Sequence, residues 1–264
     1  MNKAEFEEKK ARIQDYRPID DVFFEALALN KEVCEEILQT IMEDSGLTVK
    51  DVVVQSSERN LYGRSVRLDA LCTLGDGTLC NIEVQRSNND NHLKRARFNA
   101  ASITVKESNA GEHFDDVVEL YIIYISEFDF LDGERCIYHI DRCIRENGEF
   151  VDDGLHEIFV NTVIDDHTDI SELMSCMIKK DVNNPKFPKL TNEVRKLKTT
   201  EGGMTVMCEI MEKYIAEAVA EAEKNSIRKI ILHMASKGLT AEQIADFSGY
   251  DLELVKKVQS EIQA

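Results

Sequence analysis

Two carboxylates and an amide carry the clearest chemical signal in this chain: Asp69, Glu83 and Gln85. They lie in residues 64–86, RSVRLDALCTLGDGTLCNIEVQR, which read as two strands joined by a tight turn at Gly75-Asp76-Gly77. In the first strand Val66, Leu68, Ala70 and Cys72 alternate with Arg67, Asp69, Leu71 and Thr73. In the second, Cys80, Ile82 and Val84 alternate with Leu79, Asn81, Glu83 and Gln85. Such alternation predicts one buried face and one mostly polar face. A two-residue turn would pair Leu68 with Gln85 and put an apolar side chain on the polar face. A three-residue turn with Gly77 left-handed pairs Leu74 with Thr78 and sets Asp69 opposite Glu83 and Arg67 opposite Gln85. Opposed carboxylates repel in a bare sheet. A hard divalent cation removes that repulsion by binding both. The alternative is a solvated surface hairpin whose charge pair has no role.

An Asp in one strand, a glycine-centred turn and Glu-x-Gln in the next strand resemble the PD-(D/E)XK nuclease superfamily. Arg67-Leu68-Asp69 and Ile82-Glu83-Val84-Gln85 look most like its transposase-type branch, the recombination-promoting nucleases, where the usual final Lys is often Gln. The Pro of the superfamily's name is absent. Residues 19–24 resemble the family's opening Asp-x-x-Phe-Lys signature, with Phe24 where Lys is usual. The resemblance implies Mg2+ (or Mn2+) held by Asp69, Glu83 and the backbone carbonyl of Val84. An acid of the first helix joins them, Asp20 matching best and Glu25 second; the alternative for Asp20 is a helix cap. It further implies that Gln85 positions water or phosphate, that Arg67 or Arg95 supplies the positive charge Lys would give, and that Arg95 and Arg97 hold DNA. The implied activity is endonucleolytic hydrolysis of DNA in recombination or transposition; nothing in the sequence signals strand transfer. The alternative is a degenerate nuclease fold used for binding or assembly, favoured by the missing Lys and Pro. A third reading is a helix-turn-helix regulator.

The net charge of −18, from 50 acids against 32 Lys and Arg, weighs against nucleic acid unless basic residues are concentrated locally. Residues 86–106 are such a concentration: Arg86, Lys94, Arg95, Arg97 and Lys106 against Asp90 alone. A basic helix there fits a phosphate backbone, and it equally fits surface ion pairing. No apolar run is long enough to span a bilayer, so no membrane partner is expected. The polar N-terminus predicts no secretion, and seven scattered cysteines without a Cys-x-x-Cys pair fit reduced thiols and a cytoplasmic location.

The elements that must hold these residues follow from periodicity. Residues 21–43 form an amphipathic helical pattern that Asn30-Lys31-Glu32 interrupts, or two short helices. Residues 49–55 predict a first strand and 56–63 a turn; the hairpin follows. A helix is expected over 91–108 and a doubly buried strand over 117–126. That order, αβββαβ, is the restriction-endonuclease-like core: an α/β fold with a mixed sheet flanked by helices and a helical C-terminal segment. Further strands are expected near 137–144 and 154–163. His156 and Asp165-Asp166-His167 invite a metal reading, but the latter reads better as an acidic turn. The prolines of 183–189 mark a boundary, giving a nuclease-like domain over 1–190 and a helical segment over 191–264. There Gly202-Gly203 is read as a break, 205–237 as a long helix that could pair in a homodimer, and 239–263 as a helical hairpin capped by Thr240, turned at Gly249 and capped again by Asp251. Its second helix opens on Asp251 and Glu253, which argues against a DNA reader.

Overall fold

A computed structural model describes residues 3–59 and 65–260. Helices α1 (Lys3–Asp15), α2 (Asp21–Ala28) and α3 (Lys31–Ile41) precede strands β1 (Val49–Arg59), β2 (Ser65–Leu74) and β3 (Leu79–Gln85). Then come α4 (His92–Glu107), β4 (Leu120–Ser126), β5 (Ile137–Ile140), β6 (Arg142–Cys143), β7 (Phe150–Val151) and β8 (Leu155–Asn161). The chain continues through α5 (Asp169–Met177), α6 (Pro188–Thr199), α7 (Glu201–Ser236), α8 (Ala241–Ser248) and α9 (Leu252–Ser260). The main sheet has the order β1-β2-β3-β4-β8-β5. β1, β2 and β3 are antiparallel neighbours, β3, β4 and β8 run parallel, and β5 closes the edge antiparallel to β8. This is a mixed sheet flanked by helices with a helical C-terminal extension, in the order the sequence predicts.

The hairpin turn is the three-residue form: Leu74 N–H donates to Thr78 O at 2.8 Å, Gly77 N–H donates to Leu74 O at 3.1 Å, and Gly77 has φ 103°. Cys72 therefore faces Cys80, and Ala70 faces Ile82. The expectation of a mostly polar second face is corrected. Leu71, Asn81 and Glu83 are buried on it. α4 covers it, packing Ala96, Ala100 and Ile103 against Leu71, Leu79, Ile122, Tyr124 and Phe159. The opposite face, carrying Cys72, Cys80 and Ile82, is buried too, and α2, α3 and α5 pack on the strands of this sheet.

Two local expectations also change, at residues 56–59 and at Gly202-Gly203, and the interruption expected at Asn30 is present. Residues 56–59 continue β1, with Ser56 pairing Leu68, instead of turning; residues 60–63 lie outside the described ones. Asn30 splits the first helical stretch into α2 and α3, its side chain accepting from Glu32 N–H at 3.1 Å. Gly202-Gly203 lies inside α7 and does not break it. At Gly203 an added Cβ would stand 2.2 Å from Lys196 O and 2.6 Å from Leu197 Cα, so glycine permits the close approach of α6 and α7.

The chain divides into two compact units, Met1–Ile210 and Met211–Ala264. The division comes later than residue 190 because α6 packs on α2 and α3. The second unit has its own core of Ile231, Ile244, Val255 and Val258. Thr240 and Gln243 close a capping box on α8, Gly249 turns at φ 73°, and Asp251 accepts from Glu253 and Leu254 N–H. None of the seven cysteines forms a disulfide, and Cys143 alone is exposed. Among the described residues no helix is long and apolar enough to cross a membrane.

Candidate metal centre

The ladder between β2 and β3 runs from the turn as far as Ala70 and Ile82, and Asp69 and Glu83 stand one step beyond it. On the other side the β1–β2 pairing passes from Val54–Ala70 to Ser56–Leu68, and Gln55, which would face Asp69, has φ 53°. Asp69 thus sits where regular pairing fails on both sides. Released from ladder duty, the backbone turns its donors to carboxylates: Val84 N–H donates to Asp69 Oδ2 at 2.9 Å and Asp69 N–H to Glu83 Oε1 at 3.4 Å.

Glu83 is 1 % exposed, and Asn81 Nδ2 donates to its Oε1 at 3.0 Å. Its Oε2 is buried without a hydrogen-bond partner. The nearest cation is Arg95, with Nη2 at 3.7 Å. Burial lifts the Asp69 carboxyl well above the usual range, and the charges of Glu83 and then Asp21 add to this against the Val84 N–H. Burial also raises Glu83, opposed by Asn81, Arg95 and Asn99. Two acids this close resist ionising together, and positive charge between them relieves that resistance. A buried carboxylate oxygen without a donor, beside a second carboxylate, is a donor set suited to a hard divalent cation. Asp69 and Glu83 therefore fit the metal that the sequence pattern implies.

The remaining candidates separate into near and far. Asp20 is held by Arg17 N–H at 2.7 Å, Arg17 Nη2 at 3.2 Å and Arg86 Nη1 at 2.9 Å. Arg17 and Arg86 also pair with Glu127, so Asp20 ties the start of α2 to the ends of β3 and β4. Its neighbour Asp21, opening α2, is the acid whose charge reaches Asp69. Burial raises Asp21 in turn, and Arg86 and Arg95 counter it. Glu25, buried in α2, lies 3.8 Å from Arg67. Gln85 is half-buried and donates to Ser87 O at 3.0 Å. Arg95 and Arg97 part company, because residues two apart on a helix point to different sides. Arg95 approaches Glu83, while exposed Arg97 lines a groove with Ile140, Arg142 and Glu157.

Alternation alone did not single out Asn81 and Asn99, which are 0 % and 2 % exposed beside Glu83. The spacing of Asn99 four residues after Arg95 places both on one helix face and was a usable signal. Next to Glu83 on the sheet is Tyr124, whose hydroxyl lies 2.8 Å from His92 Nδ1. Burial lowers the His92 pKa, and the ring lies between Tyr124 and Asn88.

A second set of potential ligands lies elsewhere. Glu119, Asp152 and His156 bring one ligand atom each within 4.8 Å of one another, and such a Glu/Asp/His cluster could coordinate a metal ion. His156 Nε2 is 2.8 Å from Glu119 Oε1, and its ring stacks on Tyr121 at 4.4 Å. Glu119 precedes β4, whereas Glu83 aligns with Tyr124, five residues along; the two sites are roughly 15 Å apart by strand rise. Asp165 and His167 are exposed in a local turn, where Asp165 accepts from His167 N–H at 3.0 Å.

A mixed sheet of this order, with paired acids where its antiparallel and parallel parts meet, defines a nuclease-like α/β protein. The chain belongs to the PD-(D/E)XK nuclease family transposases, whose family model matches residues 21–227. No curated protein and no solved structure matches the chain.

Proposed function

We propose that this chain is a Mg2+- (or Mn2+-) dependent DNA endonuclease that hydrolyses phosphodiester bonds in DNA recombination or transposition. The observation that carries the reading is the pairing of buried Glu83 with half-buried Asp69 at the end of the β2–β3 ladder, with Glu83 Oε2 left without a hydrogen-bond donor. Asp69, Glu83 and the Val84 carbonyl would hold the ion. Asp21 replaces Asp20 as the proposed N-terminal acid, because Asp20 is engaged by Arg17 and Arg86. The bound ion would supply Lewis-acid polarisation of the phosphate and a more acidic attacking water. Gln85 then orients that water or a phosphate oxygen by hydrogen bonding. Arg95 supplies positive charge beside the dyad, Arg67 adds to it from β2, and Arg97 meets the backbone further away. A homodimer through α7 belongs to the same reading, since Ile215 and Val219, one turn apart, are 50 % and 52 % exposed.

The test is nicking of supercoiled plasmid with Mg2+ or Mn2+ by the wild type, Asp69→Asn and Glu83→Gln. Metal-dependent nicking lost in both variants supports the reading. Equal nicking by all three places the activity elsewhere. No nicking and no metal binding by the wild type favours the binding or assembly module, to which the Gln at position 85 in place of Lys already lends weight.

A further inference from the structure

Asn81 is an unusual residue for its place. Its partners across the sheet are Leu71 on β2 and Ile122 on β4, both apolar and buried. Its sheet neighbours alone give no reason for a polar side chain there. Asn81 instead buries an amide whose Oδ1 has no hydrogen-bond partner. Asn99, reaching in from α4, likewise buries an Nδ2 without a partner. Each such atom costs stability. The group both amides attend is Glu83. Asn81 is two residues before it on the same face of β3 and donates to its Oε1 at 3.0 Å. Asn99 is buried on the same face of α4 as Arg95, one turn further on; the Arg95 guanidinium reaches Glu83, and the Asn99 amide favours the Glu83 negative charge. With Asp69 N–H also directed at Oε1, that oxygen takes the hydrogen bonds, while Oε2 has none and faces only the Arg95 guanidinium at 3.7 Å.

We propose that Asn81 and Asn99 are positioning residues that hold the Glu83 carboxylate in one orientation, Oε1 toward the protein and Oε2 presented to a divalent cation. This rests on the metal-centre reading above. The two amides act as an outer layer of the site: they touch neither substrate nor ion, and they fix the direction in which the ligand oxygen points. Such outer hydrogen bonds to a ligand typically change metal affinity by about 10–100-fold.

The experiment measures Mn2+ binding to the full chain by calorimetry, together with thermal unfolding without metal, for wild type, Glu83→Gln, Asn81→Leu, Asn99→Leu and the amide-retaining Asn99→Gln. The expected result is loss of binding in Glu83→Gln, affinity weakened about 10–100-fold in both Leu variants, and partial recovery in Asn99→Gln. The metal-free unfolding temperature of Asn99→Leu is expected to stay equal or rise, because an unpartnered polar atom is gone, while Asn81→Leu is expected to lower it, because Glu83 Oε1 loses a donor; a purely structural role predicts a fall in both. Wild-type Mn2+ affinity in both Leu variants, with Glu83→Gln still defective, overturns the positioning role and leaves the metal centre standing. Affinity that falls only in step with metal-free stability overturns it as well. Unchanged binding in Glu83→Gln removes the metal-centre reading itself. If a Leu variant does not fold, Asn81→Ala and Asn99→Ala delete the same amides without adding bulk.

Discussion

The two ends of the central sheet hold two sets of potential metal ligands built on opposite principles. At one end Glu83 is drawn inside under α4 with half-buried Asp69 beside it, and the cost is visible as raised carboxyls and an oxygen with no hydrogen-bond donor. At the other end Glu119 and Asp152 are exposed, and His156 already satisfies Glu119 with a direct bond. The outer cluster is content in water without an ion. The inner pair is not, and frustration of this kind is what a binding site stores. Counting ligand types would rank the outer cluster higher, since it offers three in reach; weighing what each set gains from a cation reverses the order.

Plasmid nicking separates the ends most sharply. Asp69→Asn and Glu83→Gln are expected to lower the metal-dependent rate by about 100-fold or more, while Glu119→Gln and His156→Asn stay within about 2-fold. The reverse pattern would move the active centre to the outer cluster.

Metal-induced stability gives the next contrast. Mg2+ at a hundred times its dissociation constant is expected to stabilise the wild type by about 2.7 kcal/mol. In denaturant titrations this gain should vanish in Asp69→Asn and persist in His156→Asn.

Without metal the inner pair is expected to reveal its strain through pH. Asp69 is raised in the folded protein, so below the unfolded carboxyl's pKa both states are protonated and nothing is lost. As pH rises from there, the unfolded state ionises freely while the folded state resists, and stability falls. Asp69→Asn should therefore be more stable than wild type by about 1–3 kcal/mol at pH 8 and indistinguishable below about pH 3. Glu119→Gln, on the surface, should shift stability by no more than about 0.5 kcal/mol at either pH.

The smallest expected difference lies along α4. Arg95→Gln should weaken binding of a short DNA duplex about 10-fold and Arg97→Gln about 2-fold, in fluorescence anisotropy at fixed salt. Equal losses would mean that DNA follows the groove beside Glu157 as much as the dyad.

Much of this architecture was legible because strand registers are unforgiving. The three-residue turn at Gly77 follows from the cost of putting Leu68 on the wrong face, and it brings Asp69 and Glu83 together. The breaks and caps at Asn30, Thr240 and Gly249 were equally readable from local chemistry. What stayed hidden depended on tertiary cover. Asn81 and Glu83 alternate with apolar neighbours as residues on a solvated face do, and nothing local announces that α4 lies over them. Gly202-Gly203 looks like a helix break until α6 is seen against it. Asp20 and Asp21 differ by one residue, but at the start of a helix that is a turn of about 100°, enough to send one to Arg17 and Arg86 and the other toward Asp69. Glu119, Asp152 and His156 meet only because the turn at Gly154, φ 77°, brings β8 alongside β4.

The cysteine distribution has a practical consequence. With six thiols inside and Cys143 outside, the native chain offers a single attachment point for a thiol-directed label. A fluorophore or spin label placed there, on the two-stranded β6–β7 ribbon, requires no prior removal of the other cysteines. Counting reactive thiols before and after unfolding, from one to seven, then doubles as an assay of whether any engineered variant has kept its core closed.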